Sequence, residues 1–206
     1  MPLRDDQCAG VGTQCDGPKI AIICLLNRFS IRHSERHSIP YATIAANYEP
    51  VQGFRDTMAD YPSKLQEVLE DFSFVTTRSE RQDYLIELAD RFKEVKVPPD
   101  VATQPYDESH RVPACESDAF VWTLENPDGT LQYYFDVLNP QGLSAMAMAL
   151  ILGDTCSGAP LEQVGTLSGE IVFDFFGKDI SMGKGQGLIS IVNMVAFEAR
   201  RHLKKK

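Results

Sequence analysis

A chain of 206 residues with 43% hydrophobic and 24% charged side chains can fill one good core and has the make-up of an ordinary globular protein. Its formal net charge of −9 excludes a sequence-independent nucleic-acid binder, because phosphate contacts need a basic face. The apolar run IAIICLL at residues 20–26 is far short of the ~20 residues of a membrane span, and MPLRDDQ before it is not the basic start of a signal peptide. The expectation is a cytoplasmic protein with neither nucleic acid nor membrane as partner.

Five cysteines, Cys8, Cys15, Cys24, Cys115 and Cys156, form an odd set without a CxxC pair. They cannot all close into disulfides within one chain, and no zinc-ligand spacing appears. A reducing compartment with at least one functional thiol fits this better.

Residues 1–57 carry as many basic as acidic side chains, so the excess acidity belongs to the remainder. They mix Gly, Cys, Ser and His without sustained periodicity and read as a mostly disordered extension. Met58 stands directly before the organised sequence and is a candidate start for residues 58–206. His33 and His37 have the i, i+4 spacing of a metal pair, but no further ligand supports them.

Ser63 with Gln66 is a capping-box pattern before Leu65, Val68, Leu69 and Phe72 at helical spacing. Ser79 with Gln82 repeats it before Tyr84, Leu85, Leu88, Ala89 and Phe92. KVPPDVATQPYDESHRVP, with four prolines, is an extended connector leading to Cys115. DAFVWTLE then reads as a strand with Phe120, Trp122 and Leu124 on one face. NPDG supplies the turn, and TLQYYFDV returns as a second strand. Leu143, Met146, Ala147, Leu150 and Ile151 make a helical stripe that Gly153 is placed to end. Short helices are expected in APLEQVGTL and GEIVFDFFG, and a last amphipathic helix over residues 187–203 with the basic end RRHLKKK. The fold class is α+β, a small antiparallel β-sheet packed by helices.

The segments YPSKLQEVLEDF, HRVPACESDAFVW, NPQGLSAMAMALILGD and FGKDISMGKGQGL, in this order and spacing, resemble the SufE family, the sulfur acceptors of cysteine desulfurases in iron–sulfur cluster assembly. The most specific part is R-V-P-x-C-x-S followed by an aromatic strand, and the similarity runs over about residues 60–203. The resemblance implies a fold shared with IscU-type scaffolds and a single functional cysteine on a loop beside the sheet, at Cys115. It implies a sulfur carrier that accepts persulfide sulfur on Cys115 and stimulates a desulfurase of the SufS or CsdA kind. The sulfur would then pass toward a downstream cluster scaffold. No cofactor of its own is implied; the pyridoxal phosphate belongs to the desulfurase.

Two departures stand out. The family usually has Gly where this chain has Ala114, so the loop is expected to lose freedom to take a positive φ. Where the family commonly has Arg, this chain has Lys184, which keeps the charge without the planar fork; Gln186 follows two residues on. Persulfide transfer is thiol exchange, whose rate depends on thiolate fraction and nucleophilicity together. Arg111 and His110 favour the Cys115 thiolate while Glu116 and Asp118 oppose it, and the sequence does not rank them. His110, Arg111, Glu116, Ser117, Lys184 and Gln186 are the candidates for loop or docking support, with helix-start duty an equal account of the last two. Cys156 reads as an ordinary loop thiol. The Gly183, Gly185, Gly187 alternation imitates a phosphate loop but lacks the preceding strand and the Lys-Ser/Thr that one needs. Two other functions compete. A cluster scaffold of the IscU type needs several thiolates around iron, and a cysteine hydrolase using Cys115 and His110 lacks a third orienting residue.

Overall fold

The structure, a computed structural model, describes residues 60–205. The expected disordered extension, the Met58 start and the His33–His37 pair lie outside the described residues. The elements run α1 (Ser63–Ser73), α2 (Arg78–Asp90), β1 (Ala119–Glu125), β2 (Leu131–Val137), α3 (Leu143–Cys156), α4 (Leu161–Gly165), α5 (Ile171–Phe176) and α6 (Met182–Leu203), with single 3₁₀ turns at Phe92–Glu94 and Glu108–His110. This is the α+β plan, helices around one two-stranded antiparallel sheet.

The two helix starts differ from the capping boxes read in the sequence. α1 begins on Pro62, and Gln66 Nε2 donates back to the Tyr61 carbonyl at 2.7 Å, so Ser63 caps nothing. Proline, with its fixed φ, sits at the helix entrance, and the first backbone bonds of the helix run from Leu65 and Gln66 N–H to its carbonyl at 2.9 and 3.0 Å. In α2 the cap is Thr77, two residues before Ser79. Its Oγ1 accepts from Glu80 N–H at 3.2 Å and donates to Glu80 Oε2 at 2.8 Å. Thr77 is thus a side-chain N-cap whose hydroxyl also holds the Glu80 carboxylate, with the acid in the first turn where the helix dipole favours it.

The hairpin pairs Ala119 with Val137 and Glu125 with Leu131 at its two ends. Ala119 and Val121 face the main core. Phe120 and Trp122 face the other way, into a second cluster with Val97, Val101, Ala102, Tyr106 and Tyr134. The expected apolar face of Phe120, Trp122 and Leu124 thus stops early, because Leu124 is beyond the cover and 45% exposed. The proline-containing connector supplies that cover. Lys96 bridges Phe135 on the outer edge of β2 and Arg111 bridges Phe120 on the outer edge of β1, so both sheet edges are partly occupied. Asp136, buried under the connector, is fully used. Lys96 Nζ lies 3.1 Å from its Oδ1, Val137 N–H donates to Oδ1 at 2.9 Å, and the Tyr106 hydroxyl donates to Oδ2 at 2.7 Å. Burial first, and then this acceptor, pushes the Tyr106 hydroxyl up to about 12.

α3 is apolar around most of its circumference, from Ala145 through Cys156, and packs against α1, α2, α6 and β2. It runs three residues past Gly153, where the sequence suggested an end. Gly153 serves close approach instead of termination: a methyl group there would stand 2.4 Å from Val95 Cγ1 and 2.9 Å from Val95 Cβ. α4 and α5 occupy the two expected short helices. Arg81 ties α5 to the α1–α2 turn by donating to the carbonyls of Asp174, of Phe175 at 3.0 Å and of Val75 at 3.0 Å. α6 begins at Met182, five residues before the expected start, so its early glycines are helical.

Gly153→Ala is predicted to lower the unfolding free energy by about 2 kcal/mol, since overpacking of this severity exceeds the ~1 kcal/mol gained in helix propensity. Urea denaturation measures it, and an unchanged or higher stability would contradict the close approach.

Candidate functional site

The loop from Arg111 to Asp118 leaves and rejoins the edge of β1. Its neck is closed by Val112 N–H donating to the Ala119 carbonyl at 2.8 Å, and its tip by Asp118 N–H donating to the Cys115 carbonyl at 3.2 Å. Arg111 pairs with Asp118 across the neck and lies 3.4 Å from Glu108. The far side of the loop is tied to the segment after β2. Leu138 N–H donates to the Asp118 carbonyl and Asn139 N–H to the Ser117 carbonyl, each at 3.2 Å. Ser117 rests against Gly142, where an added methyl would stand 2.9 Å from its Cβ.

Two non-glycine residues of this loop have positive φ, Ala114 at 56° and Asp118 at 48°. The substitution of Ala for the family's usual Gly has therefore not abolished the left-handed conformation; the chain adopts it against the cost that Cβ imposes. At the tip the geometry turns one side chain inward, as Val112 is turned at the neck. Pro113, Ala114 and Glu116 are exposed, whereas Cys115 is 9% exposed and joins the edge of the main core. An open hollow of about 550 Å³ lies beside it, lined by Glu108, Arg111, Val112, Pro113, Ala114, Cys115 and Glu116.

The candidate support residues divide by position. Arg111 closes the neck, Ser117 holds the far foot, and Glu116 faces the first turn of α6, its Oε1 3.0 Å from where a Gly183 methyl would lie. Lys184 and Gln186 are exposed on α6. At 100° per residue they flank the Gly183/Gly187 face on either side, with Lys184 in the first turn of the helix. His110 is turned to the sheet's outer face. Its Nδ1–H donates to the Val121 carbonyl at 3.0 Å, and its ring stacks on Trp122 at 5.3 Å and 25°. A carbonyl only accepts, so this nitrogen carries the proton and is committed to the backbone. His110 thus supports the connector, which weakens the cysteine-hydrolase reading.

Cys156 is not a loop thiol. It is the last residue of α3 and fully buried, with Thr155 Oγ1 at 3.7 Å from its sulfur. Burial pushes its thiol up to about 12, and the Thr155 contact only partly opposes this. A thiol so desolvated does not ionise near neutral pH and behaves as a small apolar core side chain. The described cysteines thus have opposite settings, one at a loop tip and one in the interior. Among the described residues, no group of three or more His, Cys, Asp or Glu side chains is placed to hold a metal ion, and no helix is long and apolar enough to cross a membrane.

Sequence reasoning missed Gly142 and Gly187, which the loop rests against. Their signal was available in part. Glycine inside a helical stretch lowers helix stability and asks for a packing reason, and the Gly183–Gly187 run has such a reason in the loop above it.

Fold and site together define a small α+β domain presenting one sheltered thiol on a braced loop. The model of the SufE family, an iron–sulfur metabolism associated domain, matches residues 66–199, and the chain belongs to that family. A SufE-like protein of Rhizobium etli is 26% identical over 147 residues, covering 68% of this chain and 92% of its own. The solution structure of a hypothetical protein from Thermus thermophilus shares the fold, with a TM-score of 0.55 and 23% identity over 70% of this chain and 98% of that one.

Two outcomes test the site's physical description. Replacing Ala114 by Gly is expected to raise the unfolding free energy by about 0.5–1 kcal/mol, as relief of the left-handed strain exceeds the added chain entropy of glycine; a loss in urea denaturation would count against the strained turn. Under iodoacetamide at pH 8, the tryptic peptide carrying Cys156 should stay unmodified until denaturant is added. Rapid native labelling of that peptide would contradict its burial.

Proposed function

We propose that the protein accepts sulfur from the persulfide of a cysteine desulfurase onto Cys115 and delivers it for iron–sulfur cluster assembly. The observation that carries the reading is the setting of Cys115, the one inward-facing side chain at the tip of a loop, in a chain of the SufE family. A sulfane sulfur needs shelter from reductants between transfers and exposure during them, and a thiol on a short braced loop can serve both needs.

The step balances as thiol exchange. The Cys115 thiolate attacks the terminal sulfur of the donor persulfide, a new S–S bond forms at Cys115, and the donor's S–S bond breaks. The donor cysteine leaves as thiolate with the electron pair, so no external oxidant or reductant is required. The chain's residues position this attack. Arg111 and Asp118 fix the neck, Ser117 and Asn139 fix the far foot, and the Cys115 backbone is held between them.

The surroundings suit a protein donor. Leu138 and Leu143, each 42% exposed, and Met182, 87% exposed, belong to segments that contact the loop or begin the helix beneath it. Exposed apolar side chains grouped about a reactive tip provide the contact area of a transient interface. Lys184 adds a cation beside them. In this reading the pyridoxal phosphate stays with the desulfurase, and a cluster scaffold is the downstream recipient.

Incubation with a cysteine desulfurase, pyridoxal phosphate and cysteine should add the mass of one sulfur atom to the peptide containing Cys115, and stimulate the desulfurase. Cys115→Ala should lose both effects, whereas Cys156→Ala should keep them. Sulfur retained by the Cys115→Ala protein at another cysteine would overturn the assignment.

A further inference from the structure

Glycine is the poorest helix former after proline, yet α6 carries Gly183, Gly185 and Gly187 within its first two turns. These three positions do not face the same surroundings. A methyl group at Gly187 would stand 3.2 Å from Cys115 Cα, 3.4 Å from the Ala114 carbonyl oxygen and 3.5 Å from Cys115 Sγ. At Gly183 the neighbour is the flexible end of Glu116, and at Gly185, on the opposite side of the helix, it is Ile180 Cγ2 at 3.5 Å. Only Gly187 meets the backbone and the sulfur of the cysteine.

We propose that Gly187 is a positioning residue for sulfur transfer, a seat in α6 whose missing side chain lets the Cys115 loop close and shelter its sulfur. The inference rests on the sulfur-acceptor reading and names the element that sets the balance between sheltered and presented thiol. The contact is between a helix and a loop that are separately anchored. α6 is held by its own buried face, Leu188, Ile191, Val192 and Val195, and the loop by its hydrogen bonds to β1 and to the segment after β2. A side chain at Gly187 therefore cannot be accommodated by moving the helix without disturbing the core. The loop carries the displacement, and the thiol moves outward with it.

The seat explains why a helix-breaking residue is placed where the helix is well packed. It also separates two effects that usually travel together. Alanine at Gly187 strengthens the helix intrinsically while pushing the loop off it, so the fold and the closed loop respond in opposite directions. Gly185→Ala makes the same gain in helix propensity and touches nothing of the loop.

The test compares the full-length wild type, Gly187→Ala and Gly185→Ala by iodoacetamide labelling under native conditions, read peptide by peptide in mass spectrometry. Gly187→Ala should label Cys115 about fivefold faster or more, the size of effect that a modest overpacking exerts on a local equilibrium. The Cys156 peptide should stay protected and the melting temperature should not fall. Gly185→Ala should label Cys115 at the wild-type rate. A Gly187→Ala rate equal to that of Gly185→Ala overturns the seat. So does labelling of Cys156 in parallel or failure of the variant to fold, because either makes Gly187 a general packing residue. The labelling contrast involves no desulfurase. A wild-type chain that takes up no sulfur would refute the sulfur-acceptor function and leave the contrast standing. With sulfur loaded on Cys115, Gly187→Ala should also lose it to added thiol faster than wild type.

Discussion

The enclosure of α3 by protein on nearly every side is the constraint from which the other placements follow. Its side chains Met148, Leu150 and Leu152 are fully buried, and each contributes about 1.5–3 kcal/mol when removed from water. A helix buried this completely needs a sheet on one side and helices on the others. β2 lies along it, β1 hangs from β2, and α6 crosses both α3 and β1. The cysteine loop starts and ends at the edge of β1 and sits over the start of α6. Its two supports are therefore fixed by the same core, and the thiol's position is set by packing far from the thiol.

This arrangement gives the two described cysteines different chemistry from the same side chain. Cys156 closes α3 in the interior, where burial holds it as a neutral thiol. Cys115 lies at the margin of that core, sheltered by a loop held with a few backbone hydrogen bonds, a half-exposed ion pair and a left-handed alanine. Such a loop opens at lower cost than the core does, as expected of elements that must move to function. The left-handed residues at Ala114 and Asp118 reduce that cost further, because part of their strain is released on opening.

Much of this was legible in the residues. The hairpin, the short helices and the position of Cys115 followed from periodicity, turn chemistry and a specific motif. What was not legible depended on contacts between distant segments. Gly153 looked like a helix terminator because a glycine after an apolar stripe usually is one, and only Val95 explains why the helix continues. The helix containing Gly183 to Gly187 was placed too late, since its glycines have no local reason to be helical. The cover over Phe120 and Trp122 came from a connector without periodicity, so Tyr106 and His110 could not be assigned to an aromatic cluster. His110, a loop residue that adjacency in sequence set beside Cys115, is claimed instead by β1 through Val121 and Trp122.

The two feet of the cysteine loop also fix a length. Val112 is bonded to Ala119, and Ser117 to Asn139, which leaves Cys115 three residues from one anchor and two from the other. A fully extended chain covers about 3.3–3.6 Å per residue, so with both feet held the Cys115 backbone stays within roughly 7 Å of the Ser117 foot. That distance is shorter than a single turn of helix is wide. Under the proposed sulfur transfer, so short a tether asks the donor to dock closely against the loop's rim before its persulfide comes within reach.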